Sequence, residues 1–343
     1  MSPPRSIAPI APIAALLVVV VLLGATLAMT VGPGDFGLGE VLALLAAELR
    51  GQAVDPRAHA ILWELRLPRV LLALLVGAGL GSAGALTQGL FRNPLASPGV
   101  LGLSTGAAAA VILGFALGLD EQGLWVTPLL AAIGVLVMLA ALFGLTVGRQ
   151  DLATLLLTGV ALNALAGALS TLVLALFLDR YGLAQKAMAW TLGSFDGRGF
   201  RHLGWIAPPM IAGMIGAWSL HRPLDVLALG EETAATLGIH RGRLRLIAAL
   251  VVGLLVGGST AAVGVIGFVG LIVPHLARAL PRIAGMGHGR LLPASMVVGA
   301  VLVLAVDTLG RAMSPTFLAP GALTSLLGGV FFLWLLRRQT EAS

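Results

Sequence analysis

No cysteine occurs in the 343 residues. That absence excludes disulfides, thiolate metal sites, iron–sulfur clusters and cysteine nucleophiles together. Lysine is almost missing as well: Lys186 stands alone, and Gln185 precedes it. A phosphate-cradling P-loop requires Gly-Lys-Ser/Thr, so the chain carries none. If ATP drives this protein, the ATPase is a separate polypeptide. Charge of either sign is scarce, at 10% of residues, where a soluble domain carries about 25%. Hydrophobic residues make up 58% of the chain and the mean hydropathy is +1.00. These values describe an integral membrane protein. The formal net charge of +6 does not indicate nucleic acid. The arginines sit singly between apolar runs, without a basic helix or an aromatic-interleaved patch.

What is present is a series of apolar segments. The sequence predicts an all-α polytopic fold in one transmembrane domain over 1–343, with ten spans near 7–30, 65–90, 96–118, 125–147, 152–178, 203–220, 244–263, 265–281, 291–312 and 320–336. Each approaches the ~17–25 residues that a bilayer requires; 203–220 and 265–281 lie near the lower limit. The first apolar run is longer than the ~7–15 residues of a signal-peptide core. Residues 31–62 are a polar segment with one amphipathic piece, Leu38–Leu49. Ten spans put both termini on one side. With the termini cytoplasmic, the inner segments hold twelve Lys/Arg and the outer ones nine, which favours that orientation.

Glycine recurs in GxxxG pairs, Gly77/Gly81, Gly102/Gly106 and Gly253/Gly257. Between helices in lipid there is no hydrophobic drive, so small residues that let backbones approach supply the packing. Gly81–Pro94 and Gly258–Pro274 each read as a small-residue helix leading to a proline-marked break. Their spans cross in opposite directions, so the halves 65–178 and 244–336 form an internal inverted repeat, a pattern of transporters.

Ionisable residues inside spans are costly and therefore informative. Asp307 and Arg311 stand four apart and can pair along a helix. His275 has no acid or second histidine at metal-ligand spacing and reads as a hydrogen-bonding structural residue. No Ser/His/Asp set, HExxH or paired intramembrane aspartate occurs, which argues against an enzyme. Arg66 and Arg69, in LRLPR, stand at the entry to the second span. They are either interfacial anchors with snorkelling stems or an outward-facing basic patch for an acidic partner. Residues 221–245, HRPLDVLALGEETAATLGIHRGRLR, are the long polar island of the C-terminal half. Two short helices can be read in it, Leu224–Leu229 closed by Gly230 and Glu231–Leu237 closed by Gly238, since glycine adopts the left-handed stop cheaply. Their apolar residues (Leu224, Val226, Leu227; Ala234, Ala235, Leu237) have little to pack on within the loop. The island is either a solvated connection or a docking surface.

Four stretches in register resemble the FecCD-type permeases, the membrane subunits of type II ABC importers for ferric siderophores, haem and cobalamin. They are Leu65–Ala107 (LRLPRVLLALLVGAGLGSAGALTQGLFRNPLASPGVLGLSTGA), Ala228–Gly238 (ALGEETAATLG), Gly264–Arg278 (GVIGFVGLIVPHLAR) and Val306–Arg311 (VDTLGR). The segment FLAPGA before the last span departs slightly from the family's pattern. The resemblance implies a homodimer in a bacterial inner membrane, with two ATPase subunits on the cytoplasmic side. It also implies a periplasmic or lipid-anchored binding protein outside. ATP and magnesium would sit on the ATPase, with no cofactor or metal on this chain. It implies ATPase-coupling roles for Leu229, Gly230, Glu231, Glu232, Thr233, Ala234, Leu237 and Gly238. It assigns binding-protein docking to Arg66, Arg69 and Arg311, and a gate and pathway role to Gln88, Asn93, Pro94 and Leu95, with Gly77 to Ala85 lining the pathway. The expected cargo is a bulky metal chelate, ferric siderophore first, haem or cobalamin otherwise. The alternative is an inverted-repeat secondary transporter driven by protons or sodium.

Overall fold

The computed structural model describes residues 11–32, 34, 36–52, 54–146, 152–177, 182–280, 283, 287–313 and 318–341. Among them every regular element is helical. Hydrocarbon offers backbone groups no water, and a helix satisfies them within one segment. In chain order the first are α1 (Ala11–Thr30), α2 (Leu38–Leu49), α3 (Pro56–His59), α4 (Leu67–Phe91), α5 (Leu103–Ala116), α6 (Val126–Leu145), α7 (Leu152–Leu176) and α8 (Leu183–Thr191). They are followed by α9 (Phe200–Ser219), α10 (His221–Ala228), α11 (Glu231–Thr236), α12 (Arg241–Val263), α13 (Val269–Ala279), α14 (His288–Met313) and α15 (Pro320–Glu341). A π-helical stretch, Ala60–Arg66, joins α3 to α4.

Among the described residues six stretches are long and apolar enough to cross a bilayer: Pro56–Phe91, Val126–Leu145, Thr154–Leu176, Phe200–Ala228, Arg241–Val263 and His288–Met313. Four shorter apolar helices, Val18–Thr30, Leu103–Ala116, Val269–Ala279 and Pro320–Leu335, stand where the other four spans were expected. The 203–220 segment is a full-length helix, because α9 spans 20 residues and passes into α10 with only Leu220 between them. The 265–281 segment differs. Its helix α13 has 11 residues, about 16 Å at 1.5 Å per residue, roughly half of the hydrocarbon core. Gly264–Phe268 covers the remainder in non-helical chain, bent by positive φ at Gly264 (79°) and Phe268 (62°). Pro274, read in the sequence as the mark of the break, lies inside α13; the break precedes it.

The first half has a matching irregularity. Helix α5 is only 14 residues long and is entered through a 3-10 turn, Pro98–Leu101. Irregular backbone at membrane depth persists only where protein satisfies it. Here Asn163 of α7 donates its amide to the carbonyl of Gly99 at 3.0 Å, and Thr105 donates to the Asn163 carbonyl oxygen. The Pro98 ring lies against Gly270 at the start of α13, so the two broken crossings touch.

Helix α4 is the central post, and its residues from Gly79 to Phe91 are all buried. A Cβ added at Gly77 would collide with the carbonyl of Gly299, one at Gly81 with that of Ser295, and one at Gly84 with the Gly270 backbone. The first GxxxG pair therefore seats α14 directly on α4. Gly106 packs on Gly134 and Met138 of α6, and Gly253 and Gly257 face Leu139 and Val135 of the same helix. The start of α4 and the ends of α1, α12 and α14 gather at one pole, the arginine end. The end of α4 and the starts of α12 and α14 gather with α10 and α11 at the other, the loop end. Helices α4 and α12 thus run in opposite directions.

Candidate functional site

At the arginine end, three cations and two acids form one network. Arg66 is 3% exposed and donates to the carbonyl oxygens of Met29, Gly32 (2.9 Å) and Gly34 (2.8 Å). Its guanidinium also lies 5.4 Å from the Phe36 ring centre. Arg311 donates to the carbonyl oxygens of Ala28 (3.2 Å) and Val31. A helix leaves its last carbonyls without intrahelical partners, and these two arginines, from α14 and the entry to α4, close the end of α1. Asp307 of α14 is the shared anion. It accepts from Arg69 Nη2 at 2.8 Å and Nε at 3.0 Å, and from Arg311 Nε at 3.1 Å.

Arg69 also pairs with Asp196, on the turn between α8 and α9. Burial disfavours charge on Asp196, but the Ser194 hydroxyl and the Arg69 guanidinium outweigh it and hold the carboxyl below its ordinary range. The i,i+4 pairing of Asp307 with Arg311 is present as the spacing suggested. A basic patch offered to solvent is not. The side chains of Arg69 and Arg311 are 15% and 9% exposed, and all three arginines bind within the chain. The distant partners decide this: Arg69 and Asp307 are 238 positions apart.

At the loop end, α10 and α11 stop where glycine was expected to stop them, with φ of 125° at Gly230 and 80° at Gly238. Their apolar sides do find a core. Leu224, Leu227 and Ala234 are buried against the bundle, which supplies the packing that the loop itself does not. Leu229 and Leu237 remain 70% and 62% exposed, alongside Glu232, Thr233, Ala235 and Thr236. The paired glutamates divide by role. Glu231 bonds Arg241 and Arg245 at the start of α12, whereas Glu232 is exposed. Asp225 on α10 accepts the His288 backbone N–H at 2.7 Å and contacts the imidazole Nδ1 at 2.7 Å. That carboxylate sits on the first residue of α14, where the unpaired amides and helix dipole favour negative charge.

The expected gate residues lie directly beside this anchor. Gln88 is buried; it donates to the Leu271 carbonyl at 3.3 Å and accepts from Arg278 at 2.6 Å. Helix α4 ends at Arg92 in the left-handed conformation, φ 48°. The Asn93 N–H then returns to the Gln88 carbonyl at 3.2 Å, and the Asn93 side chain accepts the Leu95 N–H at 2.8 Å. Asn93, Pro94 and Leu95 thus form a tight turn capping the post. A Cβ at Gly89 would strike the His288 ring. A continuous contact therefore leads from Asp225 on α10 through His288 to the last turns of α4. Within the protomer, the stretch Gly77 to Ala85 meets α14 at Gly77 and Gly81, α9 and α12 at Gly79, and α13 at Gly84.

His275 bonds its own helix at Leu271, 2.9 Å away, and meets Phe331 edge-on, the structural part assigned to it from sequence. Sequence reading missed Asp196, Asp225, Asn163, Arg278 and His288 as site residues. Each is a lone polar residue with a partner remote in the chain; Asp225 and His288 stand 63 positions apart with nothing in the sequence to link them.

The FecCD transport family matches residues 16–338 of this chain. The hemin transport system permease protein HmuU of Yersinia pestis is 43% identical over 288 residues, covering 81% of this chain and 83% of that protein. The vitamin B12 import system permease protein BtuC of Escherichia coli O127:H6 is 37% identical over 306 residues, covering 87% and 91%. A solved metal-chelate type ABC transporter in an inward-facing conformation superimposes with a TM-score of 0.84 at 30% identity, covering 96% of this chain and 99% of its own.

Proposed function

The chain belongs to the FecCD transport family, and from that premise we propose that it forms the membrane pathway for a bulky metal chelate. It is an integral membrane permease of the ABC-importer type. Two relatives support this cargo class: one is named for hemin and another for vitamin B12. Both are metal-bearing macrocycles, and on that ground we place a macrocycle ahead of the ferric siderophore that the family resemblance put first. The membrane is the bacterial inner membrane, with both termini cytoplasmic. A second copy, two ATPase subunits and an external binding protein complete the importer, and hydrolysis takes place on the ATPase.

The observation that carries the coupling part of this reading is the ridge at the loop end. Leu229, Leu237 and Glu232 point outward from two short helices whose other faces are fixed to the bundle through Leu224, Ala234 and Asp225. Exposed apolar residues on a rigid polar loop fit a groove on a partner protein. Movement of the ATPase would displace α10. The Asp225–His288 contact would pass that displacement to α14 and to the turn after α4, moving packed helices as bodies between two arrangements.

The test is uptake into proteoliposomes holding the permease with its co-encoded ATPase and binding protein, offered hemin, cobalamin or a ferric siderophore. ATP-dependent accumulation of a macrocycle is expected. ATP-dependent siderophore uptake alone would overturn the cargo assignment. Accumulation driven by an ion gradient without ATP would overturn the coupling assignment in favour of a secondary transporter.

A further inference from the structure

Between α6, α9 and α12 a mostly apolar cleft of about 760 Å³ opens near the arginine end. Its size falls in the ~300–1,000 Å³ range of small-molecule sites. Leu129 and Leu254 line its depth, Trp125 and Trp205 flank it, and Arg201 and His202 stand at its rim. From His202 to Pro209 the lining follows α9 for about 10 Å at 1.5 Å per residue, a third of the way into a hydrocarbon core of ~30 Å. Trp125 and Trp205 are 55% and 72% exposed, and exposed tryptophans of membrane proteins sit at headgroup level. The cleft therefore begins at the interface and descends among acyl chains.

Its rim is cationic. The charges that act on His202 are those of Arg198 and Arg201, and Asp120, the acid on the turn before the cleft, pairs with Lys186. Arg198 and His202 each hold a buried side-chain nitrogen with no hydrogen-bond partner among the described residues. Burial alone lowers the Arg198 pKa from its ordinary value, so that guanidinium is desolvated without an anion to compensate. An apolar slot at interfacial depth, with the exposed Arg201 and the unpartnered His202 Nε2 at its mouth, is complementary to a molecule that is anionic at one end and hydrocarbon at the other.

We infer that this cleft holds one phospholipid with an anionic headgroup, its phosphate beside Arg201 and His202 and an acyl chain lying between α6 and α12. The site is separate from the coupling ridge and independent of the cargo.

The test uses tryptophan quenching by brominated lipid. The importer is reconstituted in vesicles of brominated phosphatidylcholine or brominated phosphatidylglycerol. The quenching component lost in the Trp125→Phe/Trp205→Phe variant reports on the cleft. A basic residue near a membrane surface favours anionic lipid about fivefold. The cleft component should therefore show at least that preference for phosphatidylglycerol, and Arg198→Gln/Arg201→Gln should abolish it while thermal stability is retained. Equal quenching by both lipids would reduce the cleft to ordinary lipid contact and overturn the proposal. Absence of quenching by either would show that protein, such as a second copy, covers this face, and would also overturn it. Loss of the preference on adding millimolar inorganic phosphate would mark a free-phosphate site rather than a lipid site, with the same consequence.

Discussion

Asp307 holds three helices at once. Its carboxylate is fully buried between Arg69 of α4 and Arg311 of α14, and Arg311 in turn closes the end of α1. Removing one partner of a buried ion pair leaves an uncompensated charge and costs about 3–5 kcal/mol. Asp307→Asn should lower the thermal unfolding midpoint in detergent, whereas Asp196→Asn, at the exposed rim of the network, should lower it far less. Asp196 also sets a pH dependence. Its pKa lies below the ordinary 3.8 in the folded chain, so its contribution is complete above that value and is lost as pH falls through the lower, folded one. A stability profile measured from neutral to acid pH should show an acid limb that is shallower in Asp196→Asn.

At the scale of elements, packing is decided by where backbone meets backbone. Gly299 on α14 abuts the Gly77 carbonyl, while Gly144 near the end of α6 has open space around it. Gly299→Ala should destabilise by the ~1–3 kcal/mol typical of overpacking. Gly144→Ala should be neutral or stabilising by about 0.5–1 kcal/mol, because helical glycine carries an entropic penalty. Unfolding midpoints of the two variants compare them directly; equal effects would mean that the α4–α14 contact does not limit stability. The positions of the helices were legible in the sequence, since apolar length and glycine spacing are local properties. The break before α13 was displaced from Pro274 to Gly264–Phe268, because a proline is tolerated within a membrane helix when neighbours re-satisfy the freed carbonyl.

For the whole molecule, the two ends are connected by the post, α4, and the loop end carries the outward ridge. Leu229→Asp with Leu237→Asp should abolish co-purification with the ATPase while leaving the permease folded, because neither residue is part of the bundle core. Glu231→Arg is a different experiment. It sets a third cation beside Arg241 and Arg245 and should loosen the loop itself, read as faster proteolysis between α11 and α12. Unchanged ATPase capture by the double leucine variant would remove the ridge from the coupling surface. The flanks of α7 and α15 present Leu157, Leu165, Leu176, Leu326 and Val330 outward, apolar area available to lipid or to a second copy.

Composition by itself determined that this chain lives in a membrane, lacks a phosphate loop and folds as helices. Those conclusions depend on averages and on missing residue types. Glycine placed the ends of α10 and α11 for an equally local reason, since a positive φ is a property of one residue. Only the tertiary structure decided that Arg66, Arg69 and Arg311 bind within the chain, that Glu231 is taken by Arg241 and Arg245 while Glu232 stays exposed, and that Asp225 caps a helix 63 positions away. Each of those outcomes depends on which groups arrive within hydrogen-bond distance after folding. In a medium without water to satisfy them, polar groups take whatever partner the packing of the apolar helices brings near.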